Sequence, residues 1–142
     1  MRRTLIVGNQ TLGSEQLRAA VRERVAGEPC RFHIVVPATP PREQFVWSEG
    51  EAATVAHRRL DEALAWMDEE GATANGTVGD ASAALAVADA VEREIFDEII
   101  VSTLPSGVSR WIHQDLPHRL ARRTGLPVDH VVAVIHEAEA SR

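Results

Sequence analysis

Two hydrophobic regimes alternate along the chain. Short unbroken apolar runs, Leu5-Ile6-Val7, Ile34-Val35-Val36 and Ile99-Ile100-Val101, alternate with longer stretches in which apolar residues recur at helical spacing. The β-branched runs suit strands buried on both faces of a parallel sheet. The first predicted strand covers Thr4 to Gly8 and ends in a polar loop, Gly8-Asn9-Gln10-Thr11. Ser14 then caps a helix with Leu17, Val21 and Val25 on one face and Gly27 just past its end. A second strand, Cys30 to Val36, is stopped by Pro37. A proline-stiffened connector from Ala38 to Trp47 carries Phe45 and Trp47, which suit a lid over the site at the carboxyl end of the sheet, a partner-binding patch or a cover for the end of the core.

Ser48 and Glu51 have capping-box spacing for a long helix with Ala53, Ala56, Leu60, Leu64 and Met67 on its face, terminated by Gly71. Thr73 to Val78 reads as a weak strand, and Asp80 as the cap of a small helix carrying Ala84, Leu85, Ala88 and Val91. The strand around Ile99 to Val101 ends in Ser102 and Thr103. After it come a turn, Leu104-Pro105-Ser106-Gly107, and a basic helical segment closed by Gly125 and Pro127. Val128 to Ile135 makes a last strand. The order β-α-β-α-β-α-β-α-β implies one α/β domain over residues 1–142, with a parallel sheet, right-handed crossovers and helices on both faces.

Composition narrows the function classes. The 142 residues are 44% apolar and 25% charged, the range of an ordinary globular domain. A net charge of -6 argues against nucleic acid and anionic membrane as partners. All 15 basic residues are arginine, so a phosphate-loop lysine and a Schiff-base lysine are excluded. The lone Cys30 reads as a core thiol beside Phe32. With no long apolar run or signal-peptide pattern after Met1-Arg2-Arg3, it predicts a cytoplasmic protein.

Ligands of open α/β sheets sit beyond the carboxyl ends of the strands, which places the candidate site at Asn9, Gln10 and the stretch from Ser102 to Arg110. Within that stretch Ser102, Thr103, Ser106, Gly107, Ser109 and Arg110 can offer amides, hydroxyls and a cation to a small anion. Ser106 and Ser109 are equally suited to capping, and Arg110 to plain surface. No catalytic set emerges. His113, Asp115 and His118 lack a third metal ligand, and His113 and Asp115 would diverge on a continuous helix. Ser102 and Ser106 lack a nucleophile elbow and an identifiable base. His33 reads as a satisfied strand residue, and Trp111 as packing the basic helix onto the sheet. The acidic groups Asp68-Glu69-Glu70 and Glu92, Glu94, Asp97 and Glu98 read as solvated surface.

Several strings resemble the universal stress protein family: the opening strand with its polar loop, Ile34-Val35-Val36-Pro37, Thr77-Val78-Gly79-Asp80, Phe96-Asp97-Glu98-Ile99-Ile100-Val101 and Gly125-Leu126-Pro127-Val128. The resemblance implies a flavodoxin-like or Rossmann-like five-stranded sheet in the order 3-2-1-4-5 and a homodimer, often paired through the last strand. In nucleotide-binding members the fourth strand is followed by G-x-x-G, nine residues, then G-S or G-T, and an aspartate ending the first strand lies against the adenosine. Here those turn glycines fall on Ser102 and Pro105, the later pair on Asp115 and Leu116, and the aspartate on Asn9. Pro105 removes an amide and fixes φ. Asp115 would set a carboxylate beside a triphosphate, at a cost on the order of 1–4 kcal/mol for like charges about 4 Å apart; it also suits a helix cap before Pro117.

The combined expectation is a non-catalytic universal-stress-like regulatory or binding module that does not hold ATP in the family's usual mode. Its partner is a small anionic ligand or a protein. The alternative is a nucleotide-binding protein, with ATP or AMP held by Asn9 and the amides around Ser106 to Ser109 in another geometry. A phosphate-ester hydrolase using His113 or His118 is the enzyme-class reading.

Overall fold

Each apolar run became a strand buried on both sides. The computed structural model describes residues 1–39, 49–105 and 109–134. Its elements run β1 (Arg2–Val7), α1 (Glu15–Ala26), β2 (Cys30–Pro37), α2 (Glu49–Glu69), β3 (Thr73–Gly79), α3 (Ala83–Arg93), β4 (Glu98–Thr103), α4 (Arg110–His113), α5 (Leu116–Thr124) and β5 (Val128–Val132). The strands form one parallel sheet in the order β3-β2-β1-β4-β5. This is the predicted α/β, Rossmann-like architecture.

Period-2 alternation divides each run between the two layers. Ile6, Phe32, Ile34, Val36 and Ile100 face α1 and α2, where they meet Leu17, Val21, Ala56, Leu60 and Met67. Leu5, Val7, Val35, Ile99 and Val101 face α3 and α5, against Val87, Leu116 and Leu120. Trp111 packs against this second layer, as its sequence position suggested.

Several local expectations shift. On α1 the buried face is Leu17, Ala20 and Val21, whereas Val25 in the last turn is exposed. The α2 face is Ala52, Ala56, Leu60, Ala63, Trp66 and Met67, with Ala53 and Leu64 at its flanks. Ser82, not Asp80, caps α3: its hydroxyl accepts from the Leu85 amide, while the Asp80 carboxylate accepts from the Ser82 amide in a preceding turn. The exposed side of α3 includes Leu85, because Ala83, Ala86, Val87 and Ala90 occupy the inward face.

The basic segment is two helices. Asp115 breaks it with a left-handed backbone, φ 54°, and holds the N-cap position of α5 without a side-chain cap bond. Its carboxylate meets His118 Nδ1 at 2.8 Å on the exposed surface instead. Gly71 ends α2 as predicted, at φ +80°. Its amide donates to Asp68 and that of Ala72 to Met67, the bond pair of a Schellman turn. The expected cap Ser48, the connector aromatics Phe45 and Trp47, and Ile135 lie outside the described residues.

Candidate ligand crevice at the carboxyl edge

At the end of β1 the backbone passes close beneath the following loop. A side chain on Gly8 would bring its Cβ within 2.7 Å of Leu12 Cδ2. Asn9 follows, only 9% exposed. Its Nδ2 donates to the Pro37 carbonyl at 2.8 Å, and its Oδ1 accepts from Arg59 Nη1 on α2. An amide can donate and accept at once, whereas an ionised carboxylate only accepts and would face the Pro37 oxygen with another oxygen. This geometry accounts for asparagine at the position.

The remaining hydroxyls of this edge turn inward. Ser102 and Thr103 are 1% and 2% exposed. Ser102 Oγ and Thr11 Oγ1 lie 2.6 Å apart, tying the end of β4 to the loop after β1. Thr103 Oγ1 lies 2.8 Å from His130 Nε2 on β5. Burial pushes the His130 imidazole below its ordinary pKa, against the opposing pull of Asp129. The Ser109 hydroxyl accepts from the Ile112 amide at 3.2 Å, a cap for the short α4. Gln10 is exposed beside Asn9. Ser106 and Gly107 lie outside the described residues, as do the side chains of Arg110 and His113. Asn9, Ser102, Thr103 and Ser109 thus share the carboxyl edge. The last three are bonded internally; Asn9 carries a cation.

That cation was not legible in the sequence. Arg59 is one of two adjacent arginines in a helix, a pattern that normally signals solvated surface. Burial, reinforced by repulsion from Arg58 and opposed by Glu62, pushes the guanidinium pKa below its ordinary value. Among the described residues Arg59 makes no ion pair, and no cluster of three or more His, Cys, Asp or Glu side chains is placed to hold a metal.

The amino edge holds a second polar cluster, and here the surface expectation for Glu98 is corrected. Glu98 is 6% exposed. Its carboxylate accepts from Arg24 Nη2 at 3.0 Å, Arg2 Nε at 2.9 Å and Thr4 Oγ1 at 2.8 Å. Thr4 stands opposite it in the β1–β4 register. Arg24 also reaches Asp129 at 3.0 Å, and Arg2 reaches Glu28 at 3.3 Å. Burial opposes ionisation of Glu98, but the bonds from Arg24, Arg2 and Thr4 outweigh it and hold the carboxyl down at about 2. These groups line an open depression of about 300 Å³. Every cation in it meets two carboxylates, which marks a clamp between α1 and the strand starts. Cys30 sits close by, partly buried rather than deep in the core, with Sγ 3.3 Å from Thr4 Oγ1.

No family model and no curated protein matches the chain by sequence. Solved structures do match. A universal stress protein family structure from Burkholderia pseudomallei superposes with a TM-score of 0.59 at 17% identity, covering 91% of this chain and 94% of that one. A universal stress protein from Archaeoglobus fulgidus gives 0.56 at 14%, covering 92% and 93%. A universal stress protein family protein from Arabidopsis thaliana, with AMP bound, gives 0.62 at 8% and covers 99% of both chains. At such low identities the likeness speaks for the fold, and the fold of this chain is that of the universal stress proteins.

Proposed function

We propose that the protein is a non-catalytic regulatory module, cytoplasmic and homodimeric, that binds a small ligand in the crevice at the carboxyl ends of β1 and β4. The observation that carries this reading is the Asn9–Arg59 pair at that edge. It offers a guanidinium held by a neutral side chain, while the neighbouring hydroxyls of Ser102, Thr103 and Ser109 are spent on internal bonds. A nucleophile would have to be reachable. Thr103, whose hydroxyl lies 2.8 Å from the His130 imidazole at this edge, is 2% exposed. No helix among the described residues is long and apolar enough to cross a membrane. Among the described residues β5 is an end strand of the sheet, and Val132 on it and Val134 after it are exposed, which supports pairing with a second copy.

A second reading is favoured by the AMP in the Arabidopsis structure: the ligand is a nucleoside monophosphate. The sequence departures bear on this choice. Pro105 and Asp115 remove what a triphosphate would need after β4, and one phosphate makes the smaller demand. Native mass spectrometry tests both readings. The expected result is a dimer that gains AMP but not magnesium-ATP. A dimer that takes up ATP with its triphosphate would refute the argument from Pro105 and Asp115. A monomer would remove the β5 pairing.

A further inference from the structure

Arg59 occupies an unusual position for a charged group. It lies on α2 between the inward Ala56, Leu60 and Ala63, at the margin of the apolar face, and is itself partly buried. Among the described residues one of its five donors is engaged, by Asn9 Oδ1. Asn9 is fixed in turn by the Pro37 carbonyl, so the guanidinium is held from below by a nearly buried side chain. The contrast with the opposite edge is sharp. Arg2 and Arg24 each meet two carboxylates there, whereas Arg59 meets none among the described residues. Among the described residues its charged neighbours are Arg58, of the same sign, and Glu62.

A guanidinium cannot shed its proton to escape desolvation, so a partly buried one is ordinarily matched by an anion. Asn9 supplies orientation without neutralising the charge, which an aspartate at that position would do. From this we propose that Arg59, oriented by Asn9, recognises an oxyanion of the crevice ligand, a phosphate or a carboxylate, and sets it on the α2 side of the crevice rather than over the turn after β4. The inference rests on the crevice reading above and names the chemistry of its ligand. The fork of remaining N–H donors suits two oxygens of one such group.

The test uses the full chain uniformly labelled with ¹⁵N, so that the Asn9 and Gln10 amides and the Arg59 side chain are all read. Sodium phosphate, sodium malonate and, at matched ionic strength, sodium chloride are titrated separately while the Arg59 Nε–H resonance is followed. Saturable shifts with phosphate, malonate or both, but not with chloride, are expected; the responding salt identifies the oxyanion. An Arg59 resonance that moves alike in all three salts overturns the proposal. Calorimetry with AMP and adenosine then separates this inference from the crevice reading. Arg59→Gln should weaken AMP at least about tenfold and leave adenosine unchanged, with Arg59→Lys in between. If AMP binds Arg59→Gln as tightly as the parent, the crevice stands and the role of Arg59 falls. If no probe shifts Asn9, Gln10 or Arg59, the crevice reading fails as well.

Discussion

Replacing Glu98 by glutamine gives the most direct measure of the clamp at the amino edge. The carboxylate accepts bonds from two guanidiniums and a hydroxyl, and its side chain is 8% exposed. Glutamine keeps the shape but offers one acceptor oxygen and turns an NH₂ group toward an arginine. The distance between the ordinary carboxyl value of 4.5 and about 2 in the folded protein corresponds to at most about 3.5 kcal/mol of stabilisation. Arg2 is 38% exposed and its share is screened by solvent, so the expected loss at neutral pH is about 2–3 kcal/mol. The sign follows from a folded pKa below the unfolded one. The contribution is complete above about 4.5 and disappears as pH falls toward about 2. Urea unfolding followed by circular dichroism, at pH 7 and pH 3, reads both quantities. The gap between parent and Glu98→Gln should shrink by about half or more at the lower pH. A gap under about 0.5 kcal/mol at pH 7, or one that does not change with pH, would refute the reasoning.

Two further substitutions probe the packing that holds the crevice. Gly76→Ala in β3 would place a Cβ 2.5 Å from Leu60 Cδ1 and 2.7 Å from the Ile34 carbonyl oxygen, and should cost about 1–3 kcal/mol in urea unfolding. Trp66→Phe removes the indole N–H that donates to the Leu12 carbonyl at 2.8 Å, leaves that buried oxygen without this donor and puts a smaller ring beneath Arg18; a loss of about 2–3 kcal/mol is expected, and one below about 0.5 kcal/mol would show that the bond contributes little.

The layered α/β fold was legible because its signals are local. Runs such as Ile99-Ile100-Val101 are apolar at consecutive positions, which suits a strand covered on both faces, and Ser14 and Gly71 mark helix ends through bonds to residues three to five positions away. The same locality explains the errors. Asp80 and Ser82 are both competent caps two residues apart, and only the path of the chain out of β3 selects Ser82. The β4 end could be placed at the carboxyl edge from topology, but the inward turn of the Ser102 and Thr103 hydroxyls depends on Thr11 and His130.

Arg59 and Glu98 show the division most clearly. In the sequence each is a charge among other charges, and hydrophobic periodicity does not distinguish a solvated charge from a desolvated one. The partners of Glu98 lie 74 to 96 residues away, and Asn9 lies 50 residues from Arg59. The energetic role of a charge depends on what excludes water from it and which opposite or like charges stand within a few ångströms. The sequence alone therefore determined the order of elements, the two-sided burial of the sheet and the segments that meet at its carboxyl edge. Only the tertiary structure decided which polar groups at that edge are spent on neighbours and which cation meets no carboxylate among the described residues, because those properties arise when distant segments are brought together.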